Sequence, residues 1–262
     1  MTRLITEWIL DMEEGCQRRD LELKEKTGLS LLQLAAKAAG REPSELRRLS
    51  GDVLIAAVPV TAGLGVIGQF AQSVAAILRT TGFNCIVTEK SDVNGIYEAY
   101  TTSADMIFIA DDDRFLAINT KSQKIGENNL ATAAGYVAAL EAMMNKKNIE
   151  MKEAPVLILG YGPVGRHAEE ILLSKGARVT VFDKDPFQGK PNRPQDIIHF
   201  PYIIEATPEP AWIHKEMLAP EALISAPGIP LGLDEEAAEQ FKAQLVHDML
   251  DIGTATMLAM AL

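Results

Sequence analysis

Positive charge, cysteine and histidine are all scarce in this 262-residue chain, and each shortage closes off a class of function. Lys and Arg together number 25 against 36 Asp and Glu, giving a formal net charge of -11. Such a balance repels nucleic-acid phosphates and anionic membrane surfaces, so neither is an expected partner, whereas a cationic small molecule is. The two cysteines, Cys16 and Cys85, form no close pair and carry no metal-ligand spacing, and the first residues lack a secretory pattern. These features predict no structural disulfide, no metal site and a reducing cytoplasm. The four histidines, His167, His199, His214 and His247, show no triad order with a serine in an elbow motif, so nucleophilic hydrolysis is not expected. The longest apolar run, the C-terminal GTATMLAMAL, is about half of what a membrane span needs and reads as a buried helix end.

What is present is a globular balance of 47% hydrophobic and 23% charged residues, over a length that suits two domains. Leu4, Ile5, Trp8, Ile9 and Met12 recur at three-to-four spacing, and Leu31, Leu32, Leu34 and Ala35 follow a cap-like Ser30, so the first fifty residues predict helices. From Asp52 strands and helices alternate through VLIAAVPV, CIVTE, MIFIA and FLAIN, which predicts an α/β layer of mostly parallel strands. A small-residue helix, ATAAGYVAALEAMM, leads into the polar stretch NKKNIEMKEA, where the domain boundary is expected near residue 150. Domains 1–150 and 151–262 follow. The second, with PVLILG, RVTVFD, YIIEATP and LISAPG, predicts a Rossmann-like doubly wound parallel sheet ending in a return helix.

Two glycine turns share one spacing, GLGVIG from Gly63 and GYGPVG from Gly160. A dinucleotide turn needs one glycine for a tight bend off the strand, a second where backbone approaches pyrophosphate, and a third for close packing of helix on strand. Gly160, Gly162 and Gly165 meet these demands directly after the strand, with Pro163 and Val164 opening the helix. Asp183 ends the next strand 23 residues after Gly160, placed to bind the adenosine ribose hydroxyls. An acid there disfavours the extra phosphate of NADP, although Lys184 beside it softens that, so NAD is the expected cofactor. Thr207, Pro208 and Pro227, at two later strand ends, are expected to line the nicotinamide half. In the first turn Val60, Thr61 and Ala62 intervene before Gly63, so that turn suits a substrate carboxylate or simple packing.

In SADMIFIADDDRFLAIN an apolar strand is flanked by Asp105 on one side and by Asp111, Asp112 and Asp113 on the other, and the cluster is expected to border a cleft that collects cations. Asn119 and Asn128 offer neutral hydrogen bonds to the same cleft, with Asn128 equally suited to capping a helix. His247 and Asp248 open the last predicted helix.

The strings VPVTAGLGVIGQF, ADDDRFLAIN, NNLATAAGYVAALE and GYGPVG, in this order, resemble the pyrrolysine biosynthesis protein D family over nearly the whole chain. The resemblance implies NAD-dependent oxidation of the terminal primary amine of 3-methyl-D-ornithinyl-lysine, then loss of ammonia and water as the imine ring closes. It implies a substrate with several amines, with Asp105 in first place as the catalytic carboxylate that anchors the ammonium or relays its proton, Asn119 as a substrate contact, and an N-terminal helix bringing Leu4 and Ile5 to the mouth of the site. It also implies a homodimer, for which the apolar C-terminal helix is an interface candidate. The competing readings are a dehydrogenase of the shikimate or methylene-tetrahydrofolate type, which usually carries a catalytic first-domain lysine that has no clear equivalent here beyond the candidates Lys90 and Lys121, and a non-catalytic NAD-sensing protein.

Overall fold

The computed structural model describes residues 12–61, 69–184 and 197–262. Leu4, Ile5 and the turn at Gly63 lie outside the described residues. Three helices come first: α1 (Met12–Thr27), α2 (Leu31–Ala38) and α3 (Pro43–Leu49). Ser30 caps α2 as its sequence predicts, since the Gln33 N–H donates to Ser30 Oγ and the Ser30 N–H donates to Gln33 Oε1 at 2.9 Å. Strand β1 (Leu54–Val58), helix α4 (Phe70–Thr80), β2 (Asn84–Val87), α5 (Asp92–Thr101), β3 (Met106–Ala110), β4 (Phe115–Asn119) and β5 (Ile125–Glu127) follow. Helix α6 (Asn128–Lys146) leads to β6 (Pro155–Leu159), α7 (Pro163–Ser174), β7 (Arg178–Phe182), β8 (Tyr202–Glu205), β9 (Leu223–Ser225), α8 (Glu235–Gln240), β10 (Leu245–Val246) and α9 (Asp251–Ala261). No described helix is long and apolar enough to cross a membrane.

Packing divides the chain into two units. One holds Ser30–Thr132, Met249–Leu262 and the chain up to Glu22; the other holds Leu23–Leu29 and Ala133–Asp248. The division therefore falls inside α6 and not at the polar stretch near residue 150, and α9 belongs with the first unit. Composition does not mark this, because α6 carries the same small apolar residues on both sides of Thr132.

The first unit's sheet has the order β2-β1-β3-β4-β5. β1 pairs in parallel with β2 and β3, while β4 and β5 run antiparallel. The expectation of mostly parallel strands thus holds for three of the five. Only residues 111–114 join β3 to β4, far too few for the crossover that a parallel pair needs. β5, three residues with a central glycine, gives no apolar signal in the sequence. Gly126 is required there, because a Cβ would lie 2.4 Å from the Met257 carbonyl oxygen of α9.

Helix α9 packs on α2, α4, β4 and β5, and Asp251 through Ala259 are all buried inside its own unit. Being apolar on every side, it is a core helix, not the interface element suggested by its composition. Its first turn is tied down by Arg19 of α1, whose Nε donates to both Asp251 carboxylate oxygens at 3.0 and 3.2 Å.

The second unit carries one all-parallel sheet, order β10-β9-β8-β6-β7. Counted within the unit and read from β7 this is the order 2-1-3-4-5, doubly wound as the sequence predicts, with the two-residue β10 as its fifth and edge strand. Leu157, Ile203, Ile213, Ile224 and Phe241 centre its core. Replacing Arg19 with alanine removes the guanidinium fork from the 4%-exposed Asp251. Thermal unfolding is expected to show a loss of about 2–3 kcal/mol, or roughly 5–10 °C in Tm.

Candidate active site

In the second unit the strand order reverses between β6 and β8, and open α/β sheets bind ligands beyond the carboxyl ends of the strands at such a point. Gly160 leaves β6 there with φ +94°, a conformation that side chains disfavour, and a Cβ on it would lie 2.6 Å from the Ala206 carbonyl oxygen that follows β8. A Cβ on Gly165 would meet the Gly160 carbonyl oxygen at 2.0 Å, which is what presses α7 onto the turn. Gly162 caps α7 and has open space where its side chain would be, while Pro163 takes the first helical turn and Val164 follows. Open backbone at a helix start, with N–H groups facing out, suits a pyrophosphate. Asp183 follows β7, and its carboxylate accepts from the Tyr161 N–H, so the acid stands at the turn. Lys184 beside it is exposed. Each of these residues was named from spacing, and the fold brings them around one bend that fits a dinucleotide.

Arg166 was missed by sequence reasoning. Its Nε donates to the Tyr161 carbonyl at 3.1 Å and its guanidinium lies 5.6 Å from the Tyr161 ring centroid, which holds a cation beside the turn.

Thr207, Pro208 and Pro227 stand past the carboxyl ends of β8 and β9. Beneath them lies Glu205, fully buried at the last position of β8, also missed because it ends an otherwise apolar strand. Burial pushes its carboxyl up to about 7 against the opposing hydrogen bonds from Thr207 and Gly232. His247 and Asp248 do not open the last helix, which begins at Asp251; they follow β10. The His247 Nδ1 lies 2.8 Å from the Ala226 carbonyl oxygen, and since a carbonyl only accepts, that nitrogen carries the proton. Burial holds the ring below its usual pKa, hence neutral. The Asp248 N–H donates to the Tyr136 hydroxyl at 3.0 Å.

The first unit separates the predicted substrate residues into two sets. Asp105 precedes β3 and Asp111 follows it, about 20 Å apart along an extended chain. Asp105 lies at the amino end, where its carboxylate accepts from the Leu54 N–H at 2.8 Å and pairs with Lys121. Burial raises its pKa, but the bonds from Lys121 and Leu54 outweigh that and hold the carboxyl below the usual range. Asn119 pairs with Met106 and so shares this edge. Its Nδ2 donates to the Ala261 carbonyl at 3.0 Å and its Oδ1 accepts from the Lys121 and Ser122 N–H groups. Both side chains are engaged in holding strand ends and α9. The expectation that Asp105, Asn119 and the three aspartates border one cleft is thereby corrected, because strand direction sends them to opposite edges. Lys121, on the amino edge with Asp105, is likewise removed from the carboxyl ends.

The carboxyl edge holds Asp111 and Asn128. Phe115 pairs with Ala110 and Leu116 with Glu127, so the register carries Asn128 to the level of Ala110, the residue before Asp111. Asp111 Oδ1 accepts from the Arg114 and Asp113 N–H groups at 2.7 and 2.8 Å, which lowers its pKa and shapes the loop. Asn128 does not cap α6: Glu127 does, accepting from the Leu130 N–H at 3.1 Å, and Asn128 Oδ1 is met by the Thr132 hydroxyl. At the end of β1 the Thr61 N–H and hydroxyl both donate to Asp92, a pairing that no motif signalled and that lowers the Asp92 pKa. Among the described residues no group of three or more His, Cys, Asp or Glu is placed to hold a metal.

Residues 9–126 match the family described as "Pyrrolysine biosynthesis protein PylD, N-terminal domain". The pyrrolysine synthases of Methanosarcina barkeri and Methanosarcina acetivorans are each 32% identical over 267 aligned residues, covering 98% of this chain and 97% and 98% of theirs. The chain belongs to the pyrrolysine biosynthesis protein D family. Residues 125–187 also match a family described as "Glutamate/Leucine/Phenylalanine/Valine dehydrogenase", a span that contains the turn at Gly160 and Asp183. Among solved structures, shikimate dehydrogenase of Aquifex aeolicus aligns with a TM-score of 0.52 at 15% identity, over 79% of this chain and 90% of that one. The FolD methylenetetrahydrofolate dehydrogenase/cyclohydrolase of Campylobacter jejuni aligns with a TM-score of 0.51 at 16% identity, over 96% and 95%. These two share the fold of this family member.

Replacing Asp105 with asparagine is expected to lower Tm at neutral pH. The gap to the parent should close as pH falls through the carboxylate range, because a carboxyl held below its ordinary pKa stabilises the fold only while ionised. Thermal unfolding at a series of pH values reads this.

Proposed function

We propose that this chain is an NAD-dependent oxidoreductase acting on a CH–NH2 group, the terminal primary amine of the ornithine part of 3-methyl-D-ornithinyl-lysine, and that it forms pyrrolysine. The observation that carries the reading is the 32% identity to pyrrolysine synthases along 98% of the chain. The turn at Gly160 supports it, because it fits the coenzyme that such an oxidation needs. When bound, NAD supplies the hydride acceptor. The chain would hold it with the Gly162 and Val164 N–H groups at the pyrophosphate, Pro163 opening the helix between them, Asp183 at the adenosine ribose, and Thr207, Pro208 and Pro227 at the nicotinamide half.

A hydride leaves carbon only when the adjacent nitrogen can donate a lone pair, so the ammonium must first give up a proton. We assign that end of the substrate to the carboxyl edge of the first unit, with Asp111 as the anionic group and Asn128 as a neutral hydrogen-bonding partner. The C–H bond and the nitrogen lone pair then give a C=N bond. Water adds and ammonia leaves, and the α-amine of the ornithine part condenses with the resulting aldehyde, releasing that water as the ring closes. Asp105 and Asn119 serve the structure of the amino edge in this reading. Leu4 and Ile5 at the mouth, a homodimer and a cytoplasmic setting complete the proposal.

Incubating the protein with NAD and 3-methyl-D-ornithinyl-lysine is expected to produce absorbance of reduced cofactor and pyrrolysine by mass spectrometry; binding of NAD without turnover would instead favour a sensor. Asp183→Ala is expected to weaken NAD binding by about tenfold or more, from the loss of charge-assisted hydrogen bonds. Asp111→Asn is expected to lower turnover at least about a hundredfold with NAD affinity kept, a general acid–base or anchoring loss. Asp105→Asn should retain turnover per folded molecule. The reverse pattern would return the role to Asp105.

A further inference from the structure

We propose that Glu205 is a positioning residue for the nicotinamide half of the coenzyme, because its one carboxylate ties together the two loops that follow β8 and β9. This rests on the coenzyme reading of the second unit and goes beyond it, since Glu205 is fully buried and would act through the loops it holds.

Oε1 accepts from the Thr207 N–H at 2.9 Å and from the Thr207 hydroxyl, while Oε2 accepts from the Gly232 N–H at 3.3 Å. The Glu205 backbone carbonyl accepts from the Gly228 N–H at 2.9 Å. Thr207 is a strand-end residue of the first loop, and Gly228 and Gly232 bracket the second, which starts at Pro227. The carboxylate stands so close to this second loop that a Cβ on Gly228 would lie 2.5 Å from Oε2 and one on Gly232 would lie 2.7 Å from the carboxyl carbon. The glycines there are the space that the acid occupies. On the first loop the effect is chemical as well as spatial. The Thr207 hydroxyl has one proton, which goes to Glu205, and it accepts the Trp212 indole N–H at 3.0 Å, so its rotamer and its hydrogen-bonding sense are both fixed. The same strand end also backs the glycine turn, since Ala206, next to Glu205, is the residue against which Gly160 packs. One buried acid therefore sets the two loops expected at the nicotinamide and stands beside the turn expected at the pyrophosphate.

A buried acid used only for packing is better replaced by an apolar residue, whereas one that holds several backbone donors fixes their geometry. The groups that face the carboxylate are Thr207 from its own loop and the Gly232 N–H from the next, and no charged side chain contributes to its elevated pKa. Protonation weakens the carboxylate as an acceptor for the Thr207 and Gly232 donors, whose bonds favour its ionised form, so the loops should loosen as pH falls through about 7.

The test begins with calorimetric titration of NAD into the unaltered full chain; absence of binding there would defeat the coenzyme reading itself. Given binding, Glu205→Gln is expected to raise the KM for NAD about tenfold, the effect of stranding one buried donor, while kcat at saturating NAD changes less. The parent's KM for NAD should also rise as pH falls through about 7, and the variant should lose that dependence. Trp212→Phe, which keeps Glu205 and releases only the indole bond to Thr207, should raise the same KM by a smaller factor, and it decides the matter should Glu205→Gln not fold. A KM for NAD and a pH profile that match the parent's in the folded variants, even with lowered thermal stability, would overturn the assignment.

Discussion

A backbone contact organises the second unit. Where β6 and β8 part, Gly160 must pass within a Cβ's width of the Ala206 carbonyl, and only a residue without a side chain and at ease with positive φ can do so. Once that contact is made, α7 starts at Gly162 with its first N–H groups facing outward, Gly165 settles on the turn, and Asp183 reaches the Tyr161 N–H. The arrangement favours an anionic dinucleotide through dipole and backbone, with no lysine in the turn itself.

The first unit repeats the theme with different ends. Its order of β2, β1 and β3 also reverses at β1, so the carboxyl ends of β1 and β3 diverge, but an antiparallel pair, β4 and β5, closes one side. That hairpin brings Asn128 beside the loop of Asp111 and carries Asn119 back to the amino edge. Acidic residues thus serve two purposes. At the amino edge Asp105 satisfies the Leu54 N–H and Lys121; at the carboxyl edge Asp92 and Asp111 shape loops, their pKa values lowered by the Thr61 hydroxyl and N–H in the first case and by the Arg114 and Asp113 N–H groups in the second.

Much of the fold was legible because its elements are strongly patterned. MIFIA and FLAIN form strands at their expected limits, PVLILG and RVTVFD each end one residue earlier than expected, and the box at Ser30 caps α2. The glycine turn and its acid were legible because each glycine answers a local steric demand. Less was readable where residues act at long range. β5 carries no apolar run and exists because α9 lies against Gly126; Glu205 looks like one polar residue at a strand end until the glycines at 228 and 232 close on it.

By itself the sequence determined the alternation of strand and helix, the bend at Gly160 with Asp183 to follow, and the acidic character of the strand ends, since these depend on neighbours within a few residues. Tertiary structure alone decided which edge each aspartate occupies, that α9 fills the first unit's core, and what Glu205 holds. The physical reason is that strand direction and register are properties of pairs: the five residues of β3 separate Asp105 from Asp111 by the full length of a strand, and only pairing shows which end faces a ligand.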